Sequence, residues 1–158
     1  MNFRKADCSD IDALAQLRID MLWEETPHPE PLKTRIFENT KRFFTQGFHD
    51  DSCVVWVAEQ DNKTVAMGCV NFFVWPPNDW CPNGQTAYIG NMYTTLPFRK
   101  KGIASHILDQ LVGEAKSRGC ERILLNTTDM GRPLYEQHGF EGSPTAMACF
   151  PFGIIPTL

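Results

Sequence analysis

Residues 87–128 read AYIGNMYTTLPFRKKGIASHILDQLVGEAKSRGCERILLNTT. The opening AYIGNMYTT (87–95) is rich in aromatic and β-branched residues and reads as a strand. From about 102 to 118, Ile103, Ile107, Leu108, Leu111 and Ala115 recur at helical spacing, and Gly119 is placed to cap that helix. RILLNTT (122–128) is a short apolar run that reads as a second strand. Strand, helix and strand of these lengths predict a βαβ unit whose strands are parallel, with a right-handed crossover.

Upstream of this unit, CVVWVAE (53–59) and TVAMGCVNFFV (64–74) flank a DNK turn and predict an antiparallel hairpin. WPPNDWCPNG (75–84) is an irregular loop. Near the N-terminus, Ser9 with Asp12 forms a capping-box-like start, and Ile11, Leu14, Leu17 and Met21 predict a helix over about 10–23. TPHPEP (26–31) breaks it, because its prolines cannot continue a helix. A second helix is predicted over about 32–46, ending before Gly47. Downstream, GRPLYEQHG (131–139) reads as a short helix stopped by Gly139, and TAMACF (145–150) as a last strand. The predicted fold is α+β, with a mixed, mostly antiparallel central sheet built around the βαβ unit.

A chain of 158 residues is expected to form one domain, 1–158, large enough for a substantial core. Its net charge of −4 argues against nucleic acid or an anionic membrane surface as the main partner. No apolar run reaches the roughly 18 residues of a spanning helix. MNFRKADCSD has no apolar region behind its charges, so a cytoplasmic protein is expected. Cysteines at 8, 53, 69, 81, 120 and 149 form no C-x-x-C, and no histidine stands at zinc-site spacing from a pair of them. They read as free thiols, and no metal is expected. The apolar tail PFGIIPTL (151–158) fits either packing on a second subunit, as in a homodimer, or folding back on its own core.

Arg99, Lys100 and Lys101 stand together just before the predicted helix. A helix N-terminus offers unpaired amides and the positive end of the helix dipole. Gly102 lets a ligand approach the backbone, Ala104 keeps the first turn small, and Arg99 and Lys101 add positive charge at the rim. Two readings fit these residues alone: a solvated basic turn, or a site for an anion such as a pyrophosphate. The loop is neither a Walker A sequence nor a dinucleotide-binding fingerprint.

With PF (97–98) before R-x-x-G-x-A (99–104), and LYEQHGF (134–140) about 30 residues on, the chain resembles the GCN5-related N-acetyltransferase (GNAT) superfamily. The likeness is close over roughly 87–142. It implies an acyl-CoA-binding fold in which the parallel strands splay apart near 92–94 and 124–127. It further implies that the pantetheine arm pairs with the backbone of Met92, Tyr93 and Thr94. The pyrophosphate would sit on the amides of Lys100, Lys101, Gly102, Ile103 and Ala104, with Ser105 beside them. Thr128 stands where many relatives have an asparagine that bonds the pantetheine. Tyr135 stands where a tyrosine often points its hydroxyl at the coenzyme's sulfur.

The activity so implied is direct N-acetyl transfer from acetyl-CoA to a primary amine, small molecule or peptide, within a ternary complex. Its alternative is a non-catalytic acyl-CoA-binding sensor or partner subunit. Tyr135 is the candidate acid, and a strand N–H near Met92 or Tyr93 the candidate donor to the oxyanion. The strand 87–95 has no acidic residue where many relatives carry a glutamate. The base is therefore a water relay or a residue from elsewhere, with Glu25, His28 and Asp79 as candidates. Trp23, Phe37, Phe73, Trp75 and Trp80 are either acceptor-lining aromatics or ordinary core and loop anchors.

Overall fold

Along the chain the strands are β1 (Asn2–Lys5), β2 (Cys53–Gln60), β3 (Lys63–Val74), β4 (Gln85–Thr94) and β5 (Arg122–Leu125), and they lie side by side in that order. The helices are α1 (Ile11–Glu25), α2 (Glu30–His49), α3 (Ile103–Ser117) and α4 (Arg132–Gln137). The computed structural model describes residues 1–27 and 29–142; the expected strand at 145–150, the tail 151–158, Cys149 and His28 lie outside the described residues. Two compact units divide the chain, residues 1–125 and 126–158. The first holds the whole sheet with α1, α2 and α3; the second begins with α4.

The sheet is mixed, as expected: β1–β4 pair antiparallel, and β4 pairs parallel with β5. Strand alternation sorts its two faces. Val55, Val57, Met67 and Cys69 pack with Leu14, Leu17 and Phe44, so α1 and α2 cover one face. Gly68 points the other way, toward Ile107 and Leu111, so α3 covers the opposite face. Ile107, Leu108 and Leu111 are fully buried there, each worth roughly 1.5–3 kcal/mol of burial.

Four details differ from the sequence reading. Strand β1 was not predicted, because NFRK is four residues long with two cations and no apolar run. Its register against β2 and the grip of Arg4 on Asp10 and Glu59 hold it in place. The cap before α1 is Asp7 rather than Ser9: the Asp7 carboxylate accepts from the Ser9 amide, and Asp10 accepts from the Asp7 amide at 2.9 Å. Helix α2 begins at Glu30 and includes Pro31, since a first-turn residue needs no amide partner. It also runs through Gly47, which is a packing glycine and not a stop: a Cβ there would lie 2.5 Å from the Cys53 Cβ.

Strand β5 is shorter than the predicted 122–128. It pairs with β4 only from Thr86↔Arg122 to Ile89↔Leu125. Beyond that point β4 turns away, because Asn91 adopts φ +52° in a bulge opposite Gly68. Leu124 and Leu125, expected in the splayed region, are therefore still paired, and the divergence begins at Gly90.

Asp10 is buried and takes both Arg4 guanidinium nitrogens at 2.7 and 2.8 Å, which holds its carboxyl below the usual range. Its contribution is present above the unfolded carboxylate pKa of about 3.9 and is lost as pH falls through the lower folded value. Asp10→Ala removes one half of the capping box and leaves Arg4 with Glu59 as its one carboxylate among the described residues. It should cost about 2–3 kcal/mol in urea denaturation at neutral pH, and the deficit should shrink in acid.

Candidate functional site

The site is built where β4 leaves its neighbour. From Gly90 to Thr94 that edge faces no strand on the β5 side among the described residues. On its other side the bulge sets Asn91 and Met92 against Gly68 alone. The Met92 sulfur fills the space above Gly68, where a Cβ would also lie 2.7 Å from Ile107 and 3.0 Å from Leu111. Packing thus pins Met92 while the strand edge stays open.

After β4 the chain makes a 3₁₀ turn, Leu96–Phe98, tied back by the Thr95 amide to Val65 O at 2.9 Å. Lys100 and Gly102 then adopt φ of +58° and +76°. The left-handed conformation at Lys100 costs roughly 1–2 kcal/mol, and only a glycine adopts it freely at 102. This double reversal starts α3 at Ile103 with no side-chain cap. The first backbone bond closing onto the helix start is His106 N to Gly102 O at 3.0 Å, so the first-turn amides point outward. Nothing lies within 4 Å of a Cβ built on Gly102, so the approach to these amides is open. Lys100 and Lys101 are exposed, and the Lys101 ammonium sits 5.2 Å from the Phe98 ring centre.

Arg99 is placed differently from its two neighbours. Its Nε donates to Thr94 O at 2.7 Å, and its two terminal nitrogens grip the Glu24 carboxylate at 2.7 Å each. Tyr93 Oη donates to the same carboxylate at 2.9 Å, with the guanidinium 5.5 Å from its ring centre. Arg99 therefore braces the loop against α1 and β4, and its charge is already met by a carboxylate. Hydrogen bonding from Arg99 holds the Glu24 carboxyl below its ordinary range. Burial, helped by Glu24, pushes the Tyr93 phenol up to about 12.

Glu24 was missed by the sequence reading, which selected Glu25. The signal was present: Leu17, Met21 and Glu24 follow one helical face at i, i+4 and i+7. Asp79 lies in the exposed 75–84 loop. Of the aromatics, Phe73 and Trp75 pack at 5.8 Å, while Trp80 is 83% exposed. Phe37 borders a cavity of about 270 Å³ between α1 and α2.

The second unit carries the two remaining candidates. Thr128 caps the approach to α4: its carbonyl accepts from the Gly131 and Arg132 amides at 3.1 and 3.0 Å, and its hydroxyl from Gly131 N at 3.3 Å. Tyr135 is buried, with its ring edge-on to Phe140 at 6.0 Å. Among the described residues no cluster of His, Cys, Asp and Glu could hold a metal, and no helix is long and apolar enough to cross a membrane. Cysteines 8, 53, 69, 81 and 120 are free thiols.

Replacing Glu24 by Gln removes the charge facing Tyr93. Ultraviolet titration of the phenols should show the Tyr93 pKa falling from about 12 while staying above the ordinary range, since burial is its larger cause. Tyr93→Phe identifies the transition.

Comparison with known proteins now bears on this arrangement. The family model described as "Acetyltransferase (GNAT) family" matches residues 16–140. A crystal structure of a predicted acetyltransferase with acetyl-CoA from Clostridium acetobutylicum is 34% identical, with 94% of this chain and 95% of that one covered and a TM-score of 0.87. The GCN5-related N-acetyltransferase from Ralstonia eutropha JMP134 shares the fold at 22% identity, TM-score 0.83, over 94% of this chain and 97% of that one. The uncharacterized N-acetyltransferase YsnE of Bacillus subtilis (strain 168) is 38% identical over 58 residues, which span 34% of this chain and 38% of the length of that relative.

Proposed function

Because this chain belongs to the acetyltransferase (GNAT) family, whose work is acyl transfer, we propose that it moves an acetyl group from acetyl-CoA to a primary amine by direct transfer in a ternary complex. The observation that carries this reading is the juxtaposition of an open strand edge, Gly90–Thr94, with an uncapped helix N-terminus entered through left-handed Lys100 and Gly102. The likeness to a protein solved with acetyl-CoA, at 34% identity, supports the donor.

Acetyl-CoA supplies an acyl group activated as a thioester. The residues here suit it. The amides from Lys100 to Ala104, and Ser105 beside them, take the pyrophosphate, with Lys100 and Lys101 as the unspent cations. Arg99 holds that loop in shape through Glu24. The free edge at Met92, Tyr93 and Thr94 aligns the pantetheine as an added strand would, although Thr94 O is already taken by Arg99. The resemblance to the family assigns Thr128 a further polar contact to that arm. A strand N–H at Met92 or Tyr93 donates to the charge growing on the acyl oxygen.

In the transfer a C–N bond forms and the C–S bond breaks. The amine loses one proton and the departing sulfur gains one, which we assign to Tyr135 Oη. No acidic residue lies on β4, and Glu24 is held ionised by Arg99, so the amine proton leaves through water. The lack of a strand carboxylate also favours a second reading, an acyl-CoA-binding protein without turnover.

Two variants test these readings. Gly102→Val places a β-branched side chain at φ +76° and over the amides. Calorimetric titration should show acetyl-CoA affinity falling at least about tenfold, and unchanged affinity overturns the loop assignment. Tyr135→Phe should lower turnover of an amine panel roughly 10²-fold or more while acetyl-CoA affinity holds. Acetyl-CoA binding with no thiol release from any amine favours the non-catalytic reading.

A further inference from the structure

We propose that Arg18 is the anchor of the acceptor site, and that the acceptor is an amine bearing a carboxylate, such as an amino acid. The inference rests on the acyltransferase reading above and names the class of molecule that reading leaves open.

Arg18 lies on the inward side of α1, one turn beyond the fully buried Leu14 and next to the buried Leu17. It is half-buried, yet it makes no hydrogen bond or ion pair among the described residues. Arg4, Arg99, Arg118 and Arg132 each meet a carboxylate, Arg122 donates to Thr86, and Arg35 and Arg42 are exposed to water. The groups within electrostatic reach of Arg18 are the Cys69 thiol and the Tyr88 hydroxyl, and no carboxylate is among them. Burial lowers its pKa accordingly. A guanidinium taken from water without a partner is costly, so an arginine kept there points to an anion supplied from outside.

The surroundings match such a ligand. Tyr88 and Asn71 are cross-strand partners, as are Gly90 and Cys69, so all four share the α1 face of the sheet. Asn71 Oδ1 is buried and has no hydrogen-bond partner, an acceptor waiting for an N–H. Gly90 leaves an open floor between them: a Cβ there would touch only the Tyr88 ring, at 3.6 Å. Asn91, at the bulge, already donates to Cys69 Sγ at 3.5 Å. Arg18 and Asn71 thus offer a cation near Cys69 and Tyr88 and a neutral acceptor on the same sheet face, next to Gly90, where the β4 edge opens.

The anion is a carboxylate rather than a phosphate. The guanidinium fork matches a carboxylate with two parallel hydrogen bonds, and a dianion would call for a second free cation. Arg122, whose neighbour across the strands is Thr86, donates to Thr86 Oγ1 at 3.0 Å and stacks on Trp75, with its buried Nε unbonded. The Asn71 carbonyl then takes an N–H of the same molecule and turns its amine toward the strand edge.

The test uses the full chain with saturating acetyl-CoA and matched acceptors: the standard amino acids, their carboxamides and their decarboxylated amines. Acetyl-CoA affinity is measured separately by calorimetry. The expected result is a preference of about tenfold or more in kcat/KM for the carboxylate member of at least one set, lost in Arg18→Gln and partly regained in Arg18→Lys. The loss should fall mainly on KM, with acetyl-CoA affinity unchanged. Acetyl-CoA binding with no carboxylate preference in any set overturns the anchor, even if Arg18→Gln fails to fold. A preference that survives Arg18→Gln overturns it as well. Failure to bind acetyl-CoA overturns the acyltransferase reading itself.

Discussion

Gly68 is the residue on which the site depends. It stands opposite two β4 residues rather than one, and the space where its side chain would be is filled by Met92 from β4 and by Ile107 and Leu111 from α3. A larger residue would push α3 off the sheet or flatten the bulge. The bulge twists β4 away from β5 after Ile89, and that divergence leaves a strand edge open in the middle of a sheet. The same packing fixes α3, and with it the direction in which the amides after Gly102 point. One missing side chain therefore couples the open strand edge to the start of α3.

Charge is distributed along α1 with the same economy. Glu24, at its end, ties down Arg99 and Tyr93 and so brings the basic loop and the end of β4 into one bonded group. Arg18, six residues earlier, has no such counterpart among the described residues and lies near Cys69 and Tyr88. Along one helix, then, a carboxylate is met by an arginine and a phenol, while an arginine has no carboxylate beside it. The three clustered cations of the loop divide likewise: Arg99 is held by Glu24 and Thr94, while Lys100 and Lys101 are exposed.

Much of this was legible in the chain. Local rules suffice for the hairpin, the parallel pair of strands and α3, because turn residues and apolar periodicity act over a few positions. The R-x-x-G-x-A and LYEQHGF stretches marked the family for the same reason: a tight turn at a helix start allows few residue types. The Asp7 cap and Pro31 in the first turn of α2 are local, but the other misreadings came from long-range effects. β1 forms because Arg4 reaches Asp10 and Glu59, Gly47 is required by Cys53, and Glu24 matters because Arg99 folds onto it.

What the residues alone determined was the family and the order of elements from α1 to α4, since each follows from spacing along one segment. What only the tertiary structure decided was which charges are spent and which are left over. Arg99 and Arg18 look alike in the sequence, two basic residues near apolar neighbours. Whether a guanidinium is a brace or an open anion receptor depends on which side chains the fold brings within about 3 Å of it, and strand register and helix packing settle that distance.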